Sequence, residues 1–208
     1  MSSAVRAERS REVASSQISG VRLLPDQTDS VPVHGPVEGT SRAELLLPAG
    51  SGGAPDRETL DRVGRAYWRF ISRRSLGLIR AAIGPDGAIA LFARGTRVAL
   101  LHFGPPVQEL TAAGGSITWA IAGGLLVSRR SPEGGFLRLT LERPPASESA
   151  GLPTLYATME VRGFHPSLRG EGRLAPLGAR VYAATQRPMH RAVTRGFLRT
   201  LAGLDPTG

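Results

Sequence analysis

Gln186 and His190 are the polar residues whose placement in this chain most invites chemistry. Read as a helix, residues 177–204 gather Tyr182, Met189, Val193, Phe197, Leu201 and Leu204 on one side. Arg180, Arg187, Arg191, Arg195 and Arg199 fall roughly opposite. Gln186 and His190 stand one turn apart on the apolar side, and Tyr182, four residues before Gln186, adds a hydroxyl to the same row. Burying such groups unpaired costs about 1–3 kcal/mol each. Either protein groups satisfy them, or they orient the polar end of an otherwise apolar ligand. His102 shares a strand face with Val98 and Leu100, so it is expected to point inward. An imidazole at His190 or His102 could also move a proton near neutral pH.

Other chemistry is narrowed by composition. Cysteine is absent, which removes disulfides, thiolate nucleophiles and Cys-ligated metals. All 26 basic side chains are Arg, so there is no lysine for a Schiff base or a P-loop. His34, His102, His165 and His190 are scattered with no H-x-x-x-H pair, and neither a metal nor a cofactor is expected. No G-x-S-x-G elbow appears, and the glycine pairs belong to turns and not to a dinucleotide-binding loop. Glu142 and Glu160 could lie near one another across strands. Each has an Arg close in sequence, Arg143 and Arg162, which favours a solvated ion-pair lattice over acid/base work.

The formal net charge of +9 attracts anions. Arg62, Arg65, Arg69 and Arg73 form one cationic stripe and the arginines of the final helix another. An anionic surface or an acidic protein is therefore a second class of partner beside a small hydrophobic molecule. Specific nucleic-acid binding is not expected. No recognition motif is present, and Trp68 is the one aromatic of its helix that falls off the apolar arc. Residues 1–20 are polar where a secretory signal would be apolar, and Ile117 to Val127 is too short to cross a bilayer. These features predict a cytoplasmic protein without a transmembrane segment.

These groups must be positioned by the elements around them. Residues 1–55 are rich in Ser, Gly, Pro and Ala and are expected to form a mostly disordered tail. Ile18–Leu24 and Glu44–Leu47 are its apolar exceptions, and the first could add an edge strand. Residues 56–204 read as a single α+β domain. Asp56 is a plausible N-cap for a helix over 57–73, in which Leu60, Val63, Tyr67, Phe70 and Ile71 share an arc of about 100°. The period then shifts toward two, with strands expected at 77–83, 88–94, 97–103, 116–121, 124–129, 135–143 and 154–163. Ile117, Trp119 and Ile121 alternate onto one face, as do Leu137, Leu139 and Leu141, and Leu155, Ala157, Met159 and Val161. Residues 144–153 read as a mobile loop. The fold class predicted is α+β: a curved antiparallel sheet of about 6–8 strands, a preceding helix, and a long C-terminal helix packed on the sheet in a helix-grip-like way. A cavity beneath that helix would be lined by Trp119, Leu139, Met159, Tyr182, Met189 and Val193. Pro188 should kink the helix.

This order of elements resembles the START-like/polyketide-cyclase superfamily, often called SRPBCC. The residues carrying it are Gly123-Gly124-Leu125-Leu126, Gly163-Phe164-His165-Pro166 and Leu177-Gly178-Ala179-Arg180-Val181-Tyr182, leading through Thr185 to His190. The chain also resembles proteins common in high-GC actinobacteria. The superfamily resemblance covers roughly residues 76–203 and implies a cavity under the long helix that holds an apolar ligand. The reading favoured is binding of a lipid-like or polyketide-like molecule, with Tyr182, Gln186, His190, Trp119, Met159 and His102, taken from their helix and strand faces, as candidate ligand-binding residues. The alternatives are an Arg-rich interaction module for an anionic partner, and a cyclase or dehydratase using His190 or His102.

Overall fold

The computed structural model describes residues 18–25, 28–30, 36–49, 53–127, 134–144, 153–165 and 192–202. Helix α1 spans Arg57–Arg74. Asp56 caps it from an extended conformation, and its carboxylate accepts the Thr59 amide at 2.8 Å. This satisfies one of the amides that a helix start leaves without a partner. Glu58 sits in the first turn and Arg73 and Arg74 in the last, each at the end that the helix dipole favours.

The Thr59 amide also holds the Asp56 carboxyl below its ordinary range. A carboxyl depressed by folding adds stability above its unfolded-state value, and that contribution disappears as pH falls through the folded-state value. Asp56→Ala is therefore expected to lower the melting temperature at about pH 7 and to converge on the parent as pH falls below the ordinary carboxylate range. Thermal unfolding of both proteins across this interval checks it; a pH-independent offset would contradict it.

Among the described residues, ten strands form one antiparallel sheet. They are β1 Gly20–Leu23, β2 Thr28–Ser30, β3 Val37–Leu46, β4 Ile79–Ile83, β5 Ile89–Ala93, β6 Ala99–Phe103, β7 Val107–Thr111, β8 Gly114–Gly123, β9 Phe136–Glu142 and β10 Thr154–Phe164. The order is β1-β3-β10-β9-β8-β6-β5-β4, with β2 added to β3 and β7 to β8. The fold class is α+β, as the change of hydrophobic period predicts. Alternation sets which face is dry. Leu137, Leu139 and Leu141 on β9, Leu155, Ala157 and Met159 on β10, and Ile117 and Trp119 on β8 are all buried.

The opposite face is polar. Arg162 meets Glu160 at 2.5 Å, Arg138 donates to Thr118 at 3.0 Å, and the Arg42 guanidinium lies 3.8 Å over the Tyr156 ring. Glu142 stands across from Tyr156, and Glu160 across from Arg138, so the two carboxylates do not face each other. Surface pairs of this kind contribute about 0–1 kcal/mol each.

Several expectations are corrected. Residues 1–55 are not simply a tail preceding the domain. β3 lies inside the sheet between β1 and β10, with Ala43 and Leu45 fully buried. Its inward row runs Val37, Gly39, Ser41, Ala43, Leu45, and the small residues in its middle give little hydrophobic signal. β1 is the edge strand that Ile18–Leu24 suggested. β7 was not anticipated, because its side chains are mostly exposed and show no alternation. Of 124–129, the described residues 124–127 form no strand: β8 ends at Gly123, and a turn follows.

The buried arc of α1 is rotated from the expected one. Thr59, Leu60, Val63, Gly64, Tyr67 and Trp68 are buried, whereas Phe70 and Ile71 are only half-buried. Trp68 is 1 % exposed, and its ring stands edge-on to Trp119 at 5.3 Å and tilted against Phe103 at 5.0 Å. Gly64, one turn before Trp68, lets the sheet come close. A Cβ there would lie 2.9 Å from the Trp119 ring.

A second helix, α2, is described over residues 192–200. Thr194, Phe197, Leu198 and the following Leu201 are buried. Phe197 stands edge-on to Tyr67 at 5.0 Å, and the Thr194 and Ser41 hydroxyls approach to 3.4 Å. α2 thus packs on both α1 and β3. The rest of the expected final helix, including Tyr182, Gln186, Pro188 and His190, lies outside the described residues, as does nearly all of the expected loop at 144–153.

Candidate functional site

Between α1, α2 and the sheet lies a cavity of about 350 Å³. That falls within the range of about 300–1,000 Å³ usual for small-molecule sites. Its α1 wall is Tyr67, Trp68, Ile71, Arg74 and Ser75, and α2 adds Ala192 and Val193. Ile79, Leu91, Leu100, Leu101 and Phe103 come from β4, β5 and β6. Ile121, Leu137, Val161 and Phe164 come from β8, β9 and β10, and Leu126 from the segment after β8. Residues from the edge strand β4 and from β10, far along the sheet order, meet around one space. That requires the sheet to curl, as expected.

The wall is apolar with few polar groups, and those groups are unbalanced. The Ser75 hydroxyl is already committed, donating to the Ser72 carbonyl at 3.0 Å and accepting the Ile79 amide at 3.0 Å. Burial pushes the Tyr67 hydroxyl well above its ordinary value, so it stays protonated. The Trp68 indole N–H is buried with no acceptor. Arg74 is exposed, and no carboxylate among the described residues pairs with it. A guanidinium can only donate, and a protonated phenol can donate its proton as well as accept. Among the described residues, no carboxylate side chain lines the space. The cavity therefore supplies donors and a cation, and its complement is a molecule that brings acceptors.

A second cavity of about 290 Å³ lies where Asp61, Arg65, Trp68, Ile117 and Trp119 meet the β4–β5 turn and Pro106. Its charges are used internally. Asp61 pairs with Arg65 and also accepts from Gln108 at 3.3 Å.

The predicted site residues are dispersed. Trp119 lines this second cavity and not the apolar one. Met159 is 1 % exposed, packs in the solid core and lines neither space. His102 does not point inward: Leu101 and Phe103 take the inward positions of β6, and His102 between them is exposed, edge-on to Phe92 at 6.4 Å. Val193 does line the cavity, as expected. Tyr182, Gln186 and His190 lie outside the described residues. Tyr67, Phe103 and Arg74 were not singled out. Tyr67 carried a signal in its place on the apolar arc, whereas Arg74 carried none among so many arginines.

No protein-family model matches the sequence, and no curated protein matches it. Among solved structures, that of human STARD10 is similar over 93 % of this chain and 77 % of that one, at 12 % sequence identity and a TM-score of 0.35. Among the described residues, no helix is long and apolar enough to cross a membrane.

Proposed function

We propose that this chain binds a small, mostly apolar molecule with an acceptor or a carboxylate at one end, held between α1, α2 and the sheet. The observation that carries this reading is the 350 Å³ cavity, apolar over most of its described wall, with Tyr67 and Arg74 as donors and no carboxylate among the described lining residues. The apolar body would rest on Leu91, Leu101, Ile121, Leu137 and Val161, and the acceptor would turn toward Tyr67 or Arg74. Tyr182, Gln186 and His190 are proposed as further groups for the polar end, because Ala192 and Val193, just beyond His190 in sequence, line the space.

Native mass spectrometry of the purified chain is expected to show a co-purifying molecule of this character, released on denaturation. Gln186→Leu and His190→Leu are expected to alter its retention more than they alter the melting temperature. If both variants lose stability without changing retention, these side chains serve the packing and not the ligand.

A further inference from the structure

The end of the sheet where the cavity wall reaches Arg74, Leu100 and Leu126 carries a distinct surface. Three segments meet there: the turn after α1 (75–78), the β5–β6 turn (94–98) and the residues after β8 (124–126). They are tied by backbone hydrogen bonds, from the Arg94 amide to the Leu78 carbonyl at 2.8 Å and from the Leu125 amide to the Ala99 carbonyl at 3.0 Å. Leu76, Leu78, Val98 and Leu125 are 85 %, 64 %, 48 % and 61 % exposed. Arg73, Arg74, Arg94 and Arg97 accompany them, all exposed, and none of the three segments contains a carboxylate. None of these four guanidinium groups has an ion-pair partner among the described residues.

Leu76 is doubly unfavourable where it stands. Its φ of 53° is the left-handed conformation that follows many helices, which glycine adopts freely and leucine does not. Its side chain is also almost wholly in water. A residue that costs the fold in both ways is best explained by what it meets outside the fold.

The shape of the patch selects the partner. Its apolar side chains sit on three separate segments, Leu76 and Leu78 on one, Val98 and Leu125 on the others. Four such side chains are few beside the roughly 20–30 residues a side that a stable protein interface uses. A bilayer needs no complementary shape: apolar tips enter the interfacial layer while cations meet lipid phosphates. We propose that this end of the sheet docks on an anionic lipid bilayer, with Leu76 and Leu78 inserting and Arg94 and Arg97 pairing with headgroups. This goes beyond ligand binding and stands without it.

The test is flotation of the full chain with phosphatidylcholine vesicles, with and without phosphatidylglycerol. Binding is expected to the anionic vesicles, to be weak to the neutral ones, and to fall with added salt. Leu76→Ser combined with Leu78→Ser is expected to weaken binding about tenfold or more. Arg94→Gln combined with Arg97→Gln is expected to weaken it roughly tenfold, at the anionic vesicles alone. Leu76→Gly separates docking from folding: it should weaken binding yet raise the melting temperature by about 2–4 °C. Ile121→Trp, which fills the cavity, should leave vesicle binding unchanged, so a failure of the ligand reading is recognisable separately. Absence of binding, equal binding to neutral vesicles, or variants indistinguishable from the parent would each overturn the proposal.

Discussion

Replacing Gly64 by leucine is expected to destabilise the protein by about 3 kcal/mol, a large share of the roughly 5–15 kcal/mol that holds a domain together. Helix propensity argues the other way, since leucine is favoured over glycine in a helix interior by under about 1 kcal/mol. Sterics decide the sign. The new Cβ would lie 2.9 Å and 3.0 Å from two atoms of the Trp119 ring and 3.4 Å from Ile117, before any atom beyond Cβ is counted. Trp119 is 2 % exposed and stands edge-on to Trp68, so a shift of its ring would disturb that contact as well. Urea unfolding of the variant and the parent measures the loss. A double-mutant cycle of Gly64→Ala with Trp119→Phe should show coupling of about 1 kcal/mol or more, because the smaller ring returns the space. Additive effects would mean that α1 stands off the sheet and that the close approach is not real.

Ile121→Trp is expected to weaken ligand binding by about a hundredfold or more while leaving the fold intact. Ile121 is half-buried on β8 and faces the cavity among Leu137, Val161 and Phe103. An indole at that position occupies the space into which an apolar ligand would fit. Enlarging a side chain normally overpacks a core, but here it has room to enter, so the melting temperature should hold or rise. Titration with a co-purified or surrogate apolar acid, followed by intrinsic fluorescence or calorimetry, reads the affinity. Unaltered affinity would place the ligand elsewhere. Arg74→Gln offers a finer reading at the same site: it should weaken a carboxylate more than the corresponding alcohol.

How much of this was legible in the sequence depended on whether the signal was local. β9 and the Leu155–Val161 stretch of β10 are readable because their alternation is regular along an apolar layer. α1 was readable from its cap and its Leu60, Val63, Tyr67 spacing. The orientation of Trp68 was not, because Gly64 broke the apolar stripe on the face where the helix comes closest to the sheet. β3 hid for a related reason: Ser41 and Ala43 are small where Thr194 of α2 comes close, and a close approach removes the very bulk that periodicity counts. The sequence points to a space beneath the C-terminal helix and to Val193 on its wall, but not to the rest of the lining. Wall residues arrive from six strands and two helices, and no spacing along the chain encodes which of them converge. His102 failed because the sheet is irregular at β6, where register shifts fall both between Leu91 and Phe92 and between His102 and Phe103.

The position of β3 sets the order in which this protein can be made. Its partners on β10 lie more than half the chain's length away, from Leu46 against Thr154 to Val37 against Phe164. During synthesis β3 emerges early and must wait, while the hairpins from β4 through β9 can close as they appear. Such distant pairing makes for slow maturation, and until β10 arrives the waiting edge is open to association with neighbouring nascent chains.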